Sequence, residues 1–218
     1  MSSVLSLSFA TVISYLIGCL NPAYFMGKKK GMDIRSVGSH NAGASNAAIA
    51  FGMKAGAFTA IFDMLKSFFC YKIAVYFFPS VAFAGALCGC ACIFGHNFPF
   101  YLKFKGGKGF ASLGGLILAY NIKVFLIMLL GGIIVLTVSN YLCIVTTYAS
   151  LSFPFVYVFM TKDFIGGILI LAIGAIIVQK HFVNFGRIKA GTECRFSGVF
   201  NREKEEERIR INSQKQND

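Results

Sequence analysis

Three stretches of this chain carry residue types suited to binding and orienting a phosphorylated ligand. The densest is Gly95–Gly109, read as GHNFPFYLKFKGGKG, where an uncharged apolar run gives way to Lys103, Lys105 and Lys108 among Gly106, Gly107 and Gly109. Glycines let backbone N–H groups approach a ligand closely and lysines supply positive charge, a combination that suits phosphate. It is not a nucleotide P-loop, because Lys108 is followed by Gly109 rather than Ser or Thr and position 102 is Leu102. Taken alone, it also reads as a basic stop-transfer cluster against anionic headgroups, although such an anchor gains nothing from its glycines. The second stretch is Gly38–Asn46, GSHNAGASN. Small residues at a helix N-terminus offer unpaired N–H groups and the positive end of the dipole to an anion, and the same residues read equally as a turn with a helix cap. The third runs from His181 through Asn184 to Arg187 and on to Gly191-Thr192-Glu193. His181 and Asn184 are three apart, so a helix continuing through them projects both from one face.

The frame that positions these stretches sits in lipid. Of 218 residues, 56% are hydrophobic and only 14% charged, and the mean hydropathy is +0.66. A water-soluble globule carries about a quarter charged residues. The net charge of +12 does not point to nucleic acid, since the basic residues collect in a few loops and the C-terminal tail between long uncharged runs. Seven cysteines imply no disulfide framework. Cys88 and Cys92 share a helix face near His96, and they read as small apolar residues at helix contacts rather than as a metal site.

Seven apolar runs are expected to cross the bilayer: Val4 to Phe25, broken near its end by Asn21-Pro22, then Ala55–Phe78, Val81–Gly95, Phe110–Tyr120, Val124–Val138, Asn140–Met160 and Phe164–Val178. Nothing before Lys28 is basic, so the first run reads as a retained span rather than a removable signal. Phe110–Tyr120 is only about two-thirds of a crossing in length. Lys28–Lys54 reads as a polar, glycine-bearing loop. Asp63 and Lys66 lie three apart inside the second run, on one face, where they can pair towards the bundle interior. One side of the membrane collects Lys28, Lys29, Lys30, Arg35 and Lys54, then Lys103, Lys105 and Lys108, then nine further basic residues beyond Gln179; the other carries Lys123 and Lys162. The positive-inside rule puts the first group in the cytoplasm. The expectation is an all-α integral membrane protein of about seven transmembrane helices, N-terminus outside and C-terminus cytoplasmic. Residues 1–195 form one polytopic domain and residues 196–218 a charged cytoplasmic tail.

In order, GSHNAGASN, GHNFPFYLKFKGGKG and HFVNFGRIKAGTE resemble the three sequence motifs of the bacterial acyl-phosphate-dependent glycerol-3-phosphate acyltransferases. Asn21-Pro22-Ala23, Asp33-Ile34-Arg35 and Phe62–Lys66 fit the same family, and the resemblance covers Cys19 to Cys194. It implies a multi-pass enzyme of the bacterial cell membrane with its active site facing the cytoplasm. The reaction implied is transfer of a fatty acyl group from acyl phosphate to the sn-1 hydroxyl of glycerol 3-phosphate, giving lysophosphatidate and phosphate, the first step of phospholipid synthesis. It implies no metal or organic cofactor, and as partners the two substrates, membrane lipids and the enzyme that makes acyl phosphate. Carried over by motif position, Ser39 and the backbone around Asn41, Gly43, Ser45 and Asn46 hold the acyl-phosphate headgroup. Lys108 neutralises phosphate charge, Gly106, Gly107 and Gly109 shape the glycerol 3-phosphate pocket, His181 and Asn184 hold that substrate, and Thr146 supplies a hydroxyl where relatives have serine. Asp63, Lys66 and Glu193 buttress the fold. The hydroxyl proton passes either to the substrate phosphate or to His181 acting as base, and both routes stay open.

The match has departures. Relatives carry an arginine three residues after the Asn matching Asn46, where this chain has Ile49; they usually have Gly at His40 and Pro at Ala42. An arginine–phosphate contact is worth about 1.5–3 kcal/mol as a charged hydrogen bond. The cations available to replace it are Arg35, Lys54 and His40. A non-enzymatic reading therefore stands beside the enzyme: a diverged paralogue that binds phosphorylated lipid or a lipid-synthesis partner without turnover. An anion carrier is disfavoured, because Asp63, Lys66 and Lys72 are the only charged residues within the expected spans.

Overall fold

A computed structural model describes residues 3–199 and 201–214, among which there are eleven α-helices and no strand. In order they are α1 (Ser3–Cys19), α2 (Pro22–Lys29), α3 (Ala44–Phe51), α4 (Met53–Phe77), α5 (Ala84–Asn97), α6 (Phe110–Tyr120), α7 (Ile122–Ser139), α8 (Leu142–Thr161), α9 (Phe164–Lys180), α10 (Phe182–Lys189) and α11 (Arg202–Gln214). Each apolar run of the sequence coincides with a helix. By length and composition, α7 and α8 can each cross a membrane alone, and four spans result if the bent pairs α1–α2 and α9–α10 each count as one. The 11 residues of α6 rise only about 16 Å against a hydrocarbon core of about 30 Å. Its Leu113, Leu116 and Ile117 are buried in the main core with Ile93, Phe153 and Ile177. By contrast α7 turns Leu126, Ile127, Leu130 and Ile134 outward, an apolar surface suited to lipid.

The polar breaks have local causes. Asn21 caps α2 by accepting from Tyr24 N–H at 2.9 Å, and Pro22 starts that helix, so α1 and α2 meet at 43°. Asn121 caps α7 through Lys123 N–H, and Asp163 caps α9 through Gly166 N–H at 2.9 Å. The polar loop expected over 28–54 holds two elements that the sequence did not suggest: a 3₁₀ turn at Ile34–Ser36 and the eight-residue α3, delimited by Gly43 and by Gly52 at φ 90°.

Helices α1 and α5 cross closely because each offers a glycine to the other's backbone. A Cβ at Gly18 would collide with the Cys92 carbonyl, and one at Gly95 with the Tyr15 carbonyl. A buried charge cluster lies at this crossing. Lys66 Nζ is 2.7 Å from Asp63 Oδ1 and donates at 2.9 Å to both the Gly18 and the Leu20 carbonyls. Gly18 is the carbonyl that a donor at position 22 would satisfy in a continuous helix, but Pro22 has no N–H. The broken helix thus leaves acceptors that the ammonium fills. His96 Nδ1 completes the cluster, 3.0 Å from Lys66 Nζ and 3.2 Å from Asp63 Oδ1. Asp63, Lys66 and His96 are 2%, 5% and 4% exposed.

Removing one partner of a buried pair strands the other charge, which typically costs about 3–5 kcal/mol, whereas replacing both restores much of the loss. Asp63→Ala and Lys66→Met should each lower the thermal unfolding midpoint in detergent steeply, and Asp63→Leu/Lys66→Met should recover at least half of that loss.

Candidate active site

The loop after α5 is folded by its own backbone. Beyond Pro99 a 3₁₀ turn, Phe100–Leu102, leads to Lys103 and Phe104 in the left-handed region, with φ of 53° and 59°. The chain then doubles back on the end of α5: Gly106 N–H donates to the Asn97 carbonyl at 3.2 Å and Gly107 N–H to the His96 carbonyl at 3.1 Å. A Cβ at Gly107 would strike the His96 ring. These two amides are spent inside the chain. Gly106 and Gly107 therefore shape the loop by close packing, a use different from donating their N–H groups to an anion. Gly109, at φ 87°, then starts α6.

This fold aims Lys108 at the first turn of α10. Lys108 Nζ donates to Asn184 Oδ1, and Asn184 Nδ2 donates to Glu193 Oε1 at 2.5 Å. The carboxylate holds the amide with its oxygen towards the lysine. Lys108 has three N–H groups, so two stay available to an anion. Burial pushes its ammonium below the usual lysine range, and Glu193 partly offsets that.

The sequence suggested a helix running straight through His181, but the chain bends by 40° between α9 and α10 at that residue. His181 is 6% exposed, and its Nδ1 lies 2.8 Å from the Ile177 carbonyl. A carbonyl only accepts, so Nδ1 carries the proton and Nε2 the lone pair. Lys180 Nζ stacks 4.5 Å from the centre of the Phe98 ring, fastening the end of α9 to the start of the lysine loop.

The GSHNAGASN stretch is organised from within by Asn46. This residue is fully buried, donates to the Ile34 and Val37 carbonyls at 2.8 and 3.0 Å, and accepts from Ser39 N–H at 2.8 Å. Its amide is saturated, so Asn46 shapes the turn rather than presenting a group to a ligand. Asn21 Nδ2 adds a bond to the Ala42 carbonyl at 2.8 Å. Ser39 and Asn41 remain half-buried and Ser45 exposed along this turn, with Gly43 buried as the N-cap of α3. Arg35 ties the turn to the lysine loop, donating to the Leu102 and Lys105 carbonyls at 2.8 and 3.3 Å. The same guanidinium grips Asp33 at 2.7 Å and holds that carboxyl below its usual range. Arg35 is thus a strut.

The glycerol-3-phosphate acyltransferase family model matches residues 8–191. The chain belongs to the glycerol-3-phosphate acyltransferase family. A glycerol-3-phosphate acyltransferase of Thermoanaerobacter sp. (strain X514) is 33% identical over 185 residues, which cover 84% of this chain and 92% of the relative. A crystal structure of PlsY, an integral membrane glycerol 3-phosphate acyltransferase, in its glycerol 3-phosphate form, superposes with a TM-score of 0.81 at 32% identity, over 89% of this chain and 97% of that one. The lysophosphatidic acid form gives a TM-score of 0.77 at 31% identity, over 87% of this chain and 95% of that one.

Within this acyltransferase fold, Lys108, Asn184 and Glu193 form one hydrogen-bonded chain with His181 one turn away, and the Ser39 turn joins the lysine loop through Arg35. Thr146 stands apart: it is 1% exposed in α8 and its hydroxyl donates to its own helix at Leu142, 3.0 Å away. Sequence reasoning passed over His96 as a functional neighbour of the loop. Its only signal was a histidine closing an apolar run, and its charged partners, Lys66 and Asp63, lie 30 or more residues away. A cleft of about 410 Å³ is lined by Leu20, Phe25, Met26, Phe58 and Phe62, with Lys29 and Asn21 also on its walls, and Asn21 bonds the Ala42 carbonyl.

Overpacking of this kind costs about 1–3 kcal/mol. Gly107→Ala should therefore destabilise the protein and weaken acceptor binding, by thermal unfolding and by titration with glycerol 3-phosphate. Gly114→Ala, whose added carbon would meet only Met64 Cε at 3.6 Å, should leave both readings near wild type.

Proposed function

We propose that the protein transfers a fatty acyl group from acyl phosphate to the sn-1 hydroxyl of glycerol 3-phosphate, releasing lysophosphatidate and phosphate. The observation that carries this reading is the Lys108–Asn184–Glu193 chain, which leaves two ammonium N–H groups unspent, with His181 one helical turn from Asn184 and its Nε2 lone pair unspent as well. Lys108 and Asn184 hold the phosphate of glycerol 3-phosphate, and Nε2 accepts a hydrogen bond from its hydroxyl. The hydroxyl oxygen attacks the acyl carbon, the carbon–oxygen bond to phosphate breaks, and the hydroxyl proton, taken by Nε2 or directly by the donor phosphate, leaves with the phosphate. Acyl phosphate is already an activated anhydride, so orientation and charge compensation are the work required of the protein. The turn from Ser39 to Ser45 takes the donor headgroup, shaped by Asn46. The adjoining apolar cleft takes the acyl chain, because Asn21 both lines that cleft and bonds Ala42 in the turn.

In this proposal the seven apolar helices α1 and α4 to α9 all sit in the cell membrane, with α6 sheltered by its neighbours. The N-terminus lies outside, and the lysine loop, the Ser39 turn and α10 face the cytoplasm, supported by the distribution of basic residues. Residues 1–195 form the catalytic domain and 196–218 a cytoplasmic extension, of which 200 and 215–218 lie outside the described residues. The enzyme that makes acyl phosphate is the natural neighbour in the membrane.

The test is phosphate release by purified protein from palmitoyl phosphate, with and without glycerol 3-phosphate. Release that depends on glycerol 3-phosphate supports the enzyme, and binding without release supports the non-catalytic paralogue. Lys108→Ala should lower kcat/KM for glycerol 3-phosphate by about 10- to 150-fold, the scale of one charged hydrogen bond. Full activity in that variant would remove the assignment of the lysine loop. The KM for glycerol 3-phosphate should climb as pH rises through the lowered pKa of Lys108, since the free ammonium loses its charge earlier than an ordinary lysine. Lys108→Arg should move that limb above about pH 12.

Ile49 is 46% exposed and packs near Gly38, beside Ser39. Ile49→Arg should therefore lower the KM for acyl phosphate by about tenfold, read by varying palmitoyl phosphate at saturating glycerol 3-phosphate.

A further inference from the structure

The charged C-terminal segment lies beyond residue 191, where the family match ends, and it does not trail away from the bundle. Its first anchor is Asn140, the left-handed residue between α7 and α8. Phe196 N–H donates to the Asn140 carbonyl at 2.8 Å, Ser197 N–H donates to Asn140 Oδ1 at 2.9 Å, and Asn140 Nδ2 donates to Ser197 Oγ at 2.8 Å. Helix α11 then returns over the Gly191–Glu193 segment. Arg208 Nη1 donates to the Gly191 carbonyl at 2.5 Å, and Nη2 donates to the Glu193 carbonyl at 2.7 Å. Asn212 Nδ2 reaches the Gly191 carbonyl as well, at 2.9 Å. Glu205, 8% exposed, orients the guanidinium through Nε at 3.0 Å and Nη2 at 2.6 Å, and it accepts from Arg195 N–H at 2.8 Å.

From the other side the same segment is pinned to the end of α10, where the Arg187 carbonyl accepts from Thr192 N–H at 2.8 Å and Glu193 N–H at 3.1 Å. Glu193 thus has its N–H fixed by α10 and its carbonyl by α11, while its side chain holds Asn184. We propose that α11 is a clamp for the acceptor half of the active site, with Arg208 the positioning residue that fixes Glu193 and, through it, the Asn184 amide facing Lys108. A planar fork suits this task because it spans two carbonyls and one carboxylate at once, a geometry that a single ammonium does not reproduce. The inference rests on the reading that Lys108 and Asn184 hold glycerol 3-phosphate. It adds a control element supplied by a stretch of chain outside the family match.

Full-length protein in lipid decides it. Arg208→Ala should raise the KM for glycerol 3-phosphate by about tenfold, as for one charged hydrogen bond lost at one remove, leave the KM for palmitoyl phosphate within about twofold, and change kcat little. Glu205→Gln, which keeps the shape and weakens the grip on Arg208, should give the same one-sided shift at smaller size, and it carries the test if Arg208→Ala does not fold. Arg208→Lys should fall between wild type and Arg208→Ala. Equal rises in both KM values together with a lower unfolding midpoint would make α11 merely a stabilising segment and overturn the clamp, as would unchanged KM values in Arg208→Ala and Glu205→Gln. Lys108→Ala run in parallel separates the two readings. If it leaves the KM for glycerol 3-phosphate unchanged, the site assignment fails and the clamp with it. If it raises that KM while Arg208→Ala and Glu205→Gln do not, only the clamp fails.

Discussion

The buried cluster of Asp63, Lys66 and His96 is the constraint on which the architecture depends. Charge in a lipid-embedded bundle survives only where it is paired, and here several elements of the fold supply the partners. The break before Pro22 leaves the Gly18 and Leu20 carbonyls open, the ammonium of Lys66 closes both, and Asp63 balances it. His96 meets the pair from α5, its Nδ1 3.0 Å from Lys66 Nζ and 3.2 Å from Asp63 Oδ1, and turns its other edge against Gly107, so the lysine loop is seated on a ring that the cluster orients. One polar knot thereby ties the α1 break, the middle of α4, the end of α5 and the loop that delivers Lys108.

The apolar frame was legible because long uncharged runs have few alternatives to helix, and because Asn-Pro, Pro-Ser and Asn-containing breaks punctuate them. The pairing of Asp63 with Lys66 could be read from a spacing of three. The share of His96 in it could not, since that contact joins helices 30 residues apart and depends on a close α1–α5 crossing. Helix α3 was hidden for a different reason: a short Ala- and Ser-rich stretch between glycines carries no periodic apolar face. The glycines of the lysine loop and Asn46 were identifiable as important by type and spacing, but their use was not. Type and spacing do not say whether an amide points at a ligand or at the chain's own carbonyls, and here Gly106, Gly107 and Asn46 satisfy the chain. The bend at His181 was also invisible, although it is what lets the imidazole keep an intrahelical bond through Nδ1 while Nε2 stays open.

The two halves of the site are supported unequally. On the proposed acceptor side Lys108, Asn184 and the Glu193 carboxylate form a side-chain relay, and beyond the family match the Arg208 guanidinium holds the Glu193 backbone carbonyl. Such chains fix orientation more than they add binding energy, because each bond mainly removes the alternatives open to its neighbour. On the donor side the turn is held by backbone contacts and by Asn46, and the one nearby guanidinium, Arg35, is already committed to Asp33 and the lysine loop.

That asymmetry indicates where Ile49 acts. On the proposed reading, a donor headgroup held mainly by backbone N–H groups and the dipole of the short α3 loses a bidentate contact, and the loss falls on binding rather than on chemistry. The acyl carbon of an acyl phosphate is activated by its own leaving group, so that reading leaves the barrier to depend mostly on bringing the hydroxyl into line, a task it assigns to Lys108, Asn184 and His181. A weak donor site would also suit a membrane enzyme whose acyl substrate is concentrated in the same bilayer, since partition of the chain into lipid and the apolar cleft beside α2 would supply free energy that an arginine otherwise has to provide.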